Sequence, residues 1–323
     1  MASFKEREKK RQQQLQNSLR FTNLHSSVEL NAIEYFADRN IKWQSQDELH
    51  SSQISCLNFW FPMMHRPELL AEVLRKLGYS VAEVLPFEFD FLSVLSNAGW
   101  NVANSSLFSQ GSVPPHFIAF EWIGWRNYLG ELQWNHVAKD FTRTRGQHFS
   151  SVDFAIRFLH NDGKIQIIMC EWKYTESYSA GVLTRYSDSG TDRLDRIYRP
   201  HLGNAMCQIE LGQIAADSLF YDPFDQMMRH QLLCSAMEQA REMDASIVSY
   251  LHIAPKANRE LMETITSPGL QGLGQDIYEV WTSLVSHKRI KGANTEETPD
   301  ISSGVVGKKD WVIYLLDRYG GMV

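Results

Sequence analysis

An aspartate and a Glu-x-Lys pair, Asp153 and Glu171-Trp172-Lys173, stand on either side of a single turn signal in this 323-residue chain. The runs SVDFAIRFLH and KIQIIMCEWKY are β-branched and aromatic, and they flank Asn161-Asp162-Gly163. That pattern predicts a β-hairpin. Counting outward from a loop of Asn161, Asp162 and Gly163 brings Asp153 directly opposite Glu171. Directly opposed residues of an antiparallel pair have Cβ atoms about 4.5 to 5.5 Å apart on one face, close enough for two carboxylates to share a divalent cation. The period of two puts Lys173 on that same face and turns Cys170 and Trp172 to the other. Carboxylates this close repel unless a cation or an ammonium such as that of Lys173 compensates them. Hard carboxylate oxygens suit Mg²⁺, with Mn²⁺ as a substitute, and such an ion polarises a phosphate. Lys173 is placed to orient or deprotonate an attacking water and to stabilise developing negative charge. The chemistry implied is phosphodiester hydrolysis. The other reading of the three residues is the solvated face of a half-exposed hairpin.

The elements that must position this set follow from pattern and punctuation. SSVELNAIEYFA carries a serine cap, Glu29 and apolar residues at helical spacing; SSQISCLNFW begins in the same way; Pro67 opens a third helix that Gly78 stops. The N-terminal third is therefore predicted to be mainly helical. Residues 83–123 hold short apolar runs broken by Gly99, Gly111 and Pro114-Pro115, with FIAFEWIG the best strand among them. A polar stretch, 174–200, is either an ordered substrate loop or a mobile connection. Pro223 opens a helix through PFDQMMRHQLLCSAMEQARE with Phe224, Met228, Leu232, Ser235 or Ala236, and Gln239 on one face, and SIVSYLHIAP reads as a buried strand. The order helix, three strands, helix, strand predicts an α/β mixed sheet. GLQGLG, 269–274, is neither a P-loop nor a dinucleotide fingerprint and reads as a turn.

Composition narrows the class. With 43% apolar and 22% charged residues, the chain can bury a large core. The net charge of -6 argues against binding nucleic acid by bulk charge, though a local basic groove coexists with an acidic remainder. The first twenty residues are polar and no long apolar run follows, so a cytoplasmic protein with no membrane partner is expected. Cys56, Cys170, Cys207 and Cys234 form no CxxC pair, and the histidines, His148, His160, His201 and His252 among them, show no HxH or HExxH spacing; they read as structural or exposed. The basic, Gln-rich arm at 5–20 reads as a solvated helix or frayed terminus rather than a phosphate-binding arm.

Residues 153–173 resemble the PD-(D/E)XK nuclease signature, with Asp153 as the first acidic residue and Glu171-Trp172-Lys173 as the second motif. SSQISCLNFWFP, FEWIG, RTRGQHFSSVDFAIRF, CEWKYTESY and PFDQMMRHQLLCSAME are closer still to a group of bacterial restriction-endonuclease-like proteins within that superfamily. Ser151-Val152 stands where the signature's name places a proline, and Asp225 and His230 stand where the group has Tyr and Gln. The two helix changes leave the metal residues intact and bear on what the helix does toward substrate. The resemblance implies a restriction-endonuclease-like core at 51–323 with a C-terminal elaboration, after a helical N-terminal extension at 1–50. It also implies Asp153, Glu171 and the main-chain carbonyl of Cys170 as metal ligands, and it singles out Ser52 and Gln53, the latter toward substrate.

Glu121 in FEWIG is either a third acidic ligand or support for the others, or else a buried strand-end glutamate paired with an arginine. Gln226, Arg229 and Gln231 can reach a phosphate or orient Lys173 from their helix, or they form its exposed face. Arg143 and Arg145, followed by Gly146 and Gln147, suit a loop gripping phosphates, or are solvated. The expectation is a Mg²⁺-dependent deoxyribonuclease of restriction, defence or repair type. A non-catalytic nucleic-acid or protein-binding member of the same fold is the alternative, RNA the less favoured substrate, and a homodimer an open possibility.

Overall fold

The computed structural model describes residues 23–39, 41–44, 51–87, 115–131, 149–178, 184–186, 190, 192–295 and 309–319. Arg143, Arg145, Gln147, His148 and the arm at 5–20 lie outside the described residues.

Three helices open the described chain: α1 (Ser26–Asp38), α2 (Ser52–Trp60) and α3 (Pro67–Lys76). Ser51 caps α2 by accepting from the Ile54 amide at 3.3 Å, as its sequence suggests. At α1 the cap is His25 instead of a serine, because its Nδ1 accepts from the Ser27 amide at 3.3 Å and is also 2.8 Å from the Ser27 hydroxyl. Gly78 ends the third helix region at φ +81°, a left-handed conformation that glycine adopts without a Cβ penalty.

The sheet is mixed and six-stranded: β1 (Val81–Leu85), β2 (Ile118–Trp122), β3 (Val152–His160), β4 (Ile165–Trp172), β5 (Ile247–Ala254) and β6 (Ile290–Asn294). β3 and β4 form the hairpin, paired from Phe154–Cys170 to Leu159–Ile165, with the His160 amide donating to the Lys164 carbonyl at 2.8 Å. This is the register counted from the sequence, and Gly163 sits in the loop at φ +83°. β1 and β2 lie end to end along the other edge of β3, one on Arg157–His160 and the other on Val152–Ile156, both antiparallel. They form one strand line, and between them the Phe87 amide, just after β1, donates to the His116 carbonyl, just before β2, at 2.8 Å. β5 and β6 add in parallel beyond β4. β1 and β6 extend the four strands read from the sequence to six.

Helices cover both faces. α1, α2, α3 and the C-terminal α6 (Lys309–Tyr319) pack on one, where Trp60, Phe154 and Trp172 meet with ring centroids 4.4 and 6.3 Å apart. The described part of the N-terminal extension thus shares a core with the sheet: Val28, Ile33 and Phe36 of α1 belong to the same apolar cluster as Phe154 and Ile168. On the other face lie α4 (Phe224–Gln239) and α5 (Ile277–Leu284). α4 is buried nearly all round, wider than the single stripe its sequence shows. No helix among the described residues is long and apolar enough to cross a membrane.

Candidate active site

Asp153, Glu171 and Lys173 are 3%, 0% and 5% exposed, so they are not the solvated face of a hairpin. Burial of charge is costly unless partners compensate it, and each of the three has them. Asp153, at the start of β3, accepts the Trp172 amide on Oδ2 at 2.7 Å. Glu171, one position along from the Phe154–Cys170 pair, accepts on Oε1 from Lys173 Nζ at 2.9 Å and from Gln226 Nε2 at 2.7 Å. His230 Nδ1 lies 3.6 Å from its other oxygen, Oε2. The alternation read from the sequence holds through Lys173: Cys170 and Trp172 pack into the α2 face, while Lys173 and Glu171 meet under α4.

Burial pushes the Lys173 ammonium downward, but Glu171, Tyr178, Glu176 and Asp153 more than offset it and hold the group above its ordinary range. In this arrangement Lys173 is a donor, suited to orienting a ligand and stabilising negative charge rather than to taking a proton. Its backbone is fixed as well. The Lys173 amide donates to the Ile253 carbonyl at 2.8 Å, and Asn258 Nδ2 donates to the carbonyls of Tyr174 at 3.1 Å and Glu176 at 2.9 Å. The Glu176 carboxylate takes the Tyr174 amide at 2.7 Å and the Ser52 hydroxyl.

Glu121 falls in register opposite Asp153, between the Phe120–Phe154 and Trp122–Val152 pairs. Its φ of +51° is left-handed, an uncommon conformation for a non-glycine residue that signals local strain. The consequence is a reversed alternation: Phe120 belongs to the α2-side core, and Trp122, which an unbroken strand would put there too, packs on the α4 side. The Glu121 carboxylate accepts from Gln53 Nε2 of α2 at 2.6 Å and from Ser151 Oγ at 3.3 Å. Gln53 is oriented in turn by the Gln44 amide, which donates to its Oε1 at 2.9 Å.

The α4 residues divide by helical row. Gln226 and His230, four apart, face Glu171. Asp225 and Arg229 form the next row: Arg229 Nε donates to Asp225 Oδ2 at 3.1 Å and its Nη1 to Ser150 Oγ at 3.3 Å, while Arg193 reaches the same aspartate at 3.4 Å. Gln231 is a correction. It is fully buried, donates to Gln208 Oε1 at 2.6 Å and the Arg289 carbonyl at 3.3 Å, and accepts from the Trp281 indole at 3.4 Å, which places it in the core beside α5 rather than at the substrate surface.

Two groups near Lys173 were not singled out as part of this site in the sequence. Asp222, just before α4, has its carboxyl raised by burial and by Asp225, with Arg229 and Lys173 acting against the rise. His252, on β5, pairs with Glu171 in the parallel ladder, and burial, with Lys173 and His230, pushes its imidazole well below the ordinary range. Only the β4–β5 register, which no short turn fixes, could have revealed it.

Among the described residues no group of three or more His, Cys, Asp or Glu side chains converges to hold a metal ion. The donor set is nevertheless the kind that Mg²⁺ takes, since that ion binds through one or two carboxylates and completes its shell with water and phosphate oxygens. Cys170 is central in the sheet, between Phe154 and Leu251, with its side chain packed on the α2 face; only its main chain is available to a ligand near Glu171.

A family model described as restriction endonuclease associating with ARP matches residues 2–320. No curated protein and no solved structure matches the chain.

Proposed function

Because the chain belongs to the family of restriction endonucleases associating with ARP, we propose that it is a metal-dependent nuclease hydrolysing phosphodiester bonds, with DNA as the substrate. The observation that carries this reading is the buried set of Asp153, Glu171 and Lys173, brought together by the hairpin under α4. A purely structural core has little use for two carboxylates and a lysine at the edge of its central strands, because replacing buried charges by apolar groups is commonly neutral or stabilising.

Asp153 and Glu171, with the Cys170 carbonyl, would hold Mg²⁺ or Mn²⁺, which when bound polarises the phosphate and lowers the pKa of its water. Lys173 is an ammonium fixed to Glu171 at 2.9 Å, and it presents its remaining N–H groups to negative charge developing on the phosphate. Gln226, which donates to Glu171 Oε1 at 2.7 Å, orients that carboxylate. Gln53 and Ser151 fix Glu121 beside the start of β3, where it supports Asp153 from the α2 side. Arg229, steadied by Asp225, together with Arg143 and Arg145 in the segment before β3, supplies phosphate contacts.

The test is cleavage of linear, circular, single-stranded and methylated DNA, and of RNA of equal length, with Mg²⁺ or Mn²⁺, wild type beside Glu171→Ala. Metal-dependent cutting of DNA that the substitution abolishes is expected. The reading fails if Glu171→Ala cuts as well as wild type. A second reading, a binding member without catalysis, is favoured by the two internal donors that already occupy Glu171 Oε1. It predicts no heat of Mn²⁺ binding in calorimetry, whereas the nuclease reading predicts binding that Asp153→Asn removes.

A further inference from the structure

His252 has no part in the chemistry above, yet it is built into the same level of the sheet. It pairs with Glu171 on one side and with Gly292 on the other, and it is 1% exposed. Its Nδ1 lies 3.0 Å from the Tyr278 hydroxyl, and that hydroxyl is also 3.0 Å from the His252 carbonyl oxygen and 3.3 Å from the Ala293 carbonyl oxygen. A phenol has one proton to give. If Nδ1 received it, both carbonyl oxygens would face the hydroxyl oxygen with no hydrogen between. If the His252 carbonyl receives it, Nδ1–H donates to the hydroxyl oxygen and only the longer contact is left over. The second arrangement satisfies more groups, so the imidazole carries its proton on Nδ1 and Nε2 is a bare lone pair. Among the described residues Nε2 has no hydrogen-bond partner.

The support for this tautomer extends into β6. A Cβ at Gly292 would fall 2.4 Å from the Tyr278 ring, so only glycine lets the tyrosine lie across the strand and reach His252. A buried acceptor without a donor is unfavourable, and the strand beside it carries an ammonium: the Lys173 amide bonds to Ile253, the next residue of β5. Lys173 has three N–H donors and gives one to Glu171 Oε1.

We propose that His252 is a positioning residue for Lys173, its bare Nε2 accepting an N–H of the ammonium when Glu171 Oε1 is engaged by another ligand. Lys173 is then kept over the site instead of following the carboxylate. The functional value of this rests on the nuclease reading; the tautomer and the acceptor role do not.

The experiment is ¹⁵N NMR of the full chain labelled at histidine, with Mg²⁺ titrated in, for wild type and Lys173→Met. Expected are a protonated Nδ1, a bare Nε2, and an Nε2 resonance that moves toward its hydrogen-bonded value on adding Mg²⁺ in wild type but not in Lys173→Met. In parallel, His252→Leu should lower kcat tenfold or more at unchanged KM, and His252→Gln, which restores a neutral acceptor, should recover part of that loss. A proton on Nε2, or an Nε2 indifferent to Mg²⁺ in wild type, overturns the proposal even if the protein cuts DNA. If no nucleic acid is cut while Nε2 responds through Lys173, the nuclease reading falls and the positioning role stands.

Discussion

Replacing Lys173 by methionine keeps the length of the side chain and removes its charge, leaving Glu171 with no exposed surface and without the Lys173 ammonium. Breaking a buried ion pair from one side costs about 3 to 5 kcal/mol, because the remaining charge stays desolvated. Gln226 still donates to Glu171 Oε1 at 2.7 Å, so the lower end, about 3 kcal/mol, is expected for Lys173→Met in metal-free protein. Glu171→Gln leaves the ammonium as the unpaired charge and should cost a similar amount. The double substitution removes both charges and should recover about 2 kcal/mol relative to the sum of the single changes, since residues in one ion pair are not additive. Urea unfolding of the four proteins measures these differences, and all three variants should have lost cleavage. A cost below about 1 kcal/mol for Lys173→Met, the size of an exposed pair, or strict additivity in the double variant, would refute the claim that the two groups form one buried unit.

Three other outcomes follow from separate parts of the fold. Gly163→Ala should cost about 1 kcal/mol in thermal unfolding from its φ of +83° alone, with no steric contribution, since nothing lies within 4 Å of the added Cβ; a much larger loss would mean that the hairpin loop is packed against another element. Asn258→Ala removes the clamp on Tyr174 and Glu176 and a helix cap on the Leu261 amide, so it should cost about 1 to 2 kcal/mol and lower kcat more than stability requires, read by cleavage at a temperature where the variant is fully folded. His116 stays neutral in the fold down to about 4, pushed there by burial and by Arg39 and His65. The unfolded chain takes that proton near the ordinary value of about 6.5, so stability falls as pH drops between the two, by about 1 to 2 kcal/mol after discounting for partial exposure, and is unaffected above them. His116→Phe should flatten this part of the pH-stability curve, measured by denaturation at pH 7 and pH 4.5.

Local signals made the hairpin legible. Asn-Asp-Gly fixes the loop, the loop fixes the register, and parity then decides which of Cys170, Glu171, Trp172 and Lys173 share a face. The helix starts at Ser51 and Pro67 were equally readable, because caps act within one turn. β6 escaped the sequence reading for a related reason. Ile290–Asn294 is short and half polar, and its partner is a parallel strand reached through α5, so neither periodicity nor a turn marks it.

The partners of the residues around Glu171 stay open in the sequence because they depend on relations between distant segments. Gln226 and Gln231 look alike on a helix drawn in isolation, and what separates them is which neighbour each row meets: Glu171 for one, Gln208 and Trp281 for the other. Glu121 reads as an ordinary strand residue until its φ of +51° turns it toward Gln53 and sends Trp122 to the opposite layer. A strained backbone position persists only where its surroundings over-determine it, and here Gln44, Gln53 and Ser151 do so at the point in register opposite Asp153. The strain therefore has a directional effect: it moves a third carboxylate out of the row that Asp153 and Glu171 would otherwise share with it. Three carboxylates in one row would raise the negative charge beside Lys173. Glu121 instead takes donors from Gln53 and Ser151, while Lys173 pairs with Glu171 and the Trp172 amide donates to Asp153.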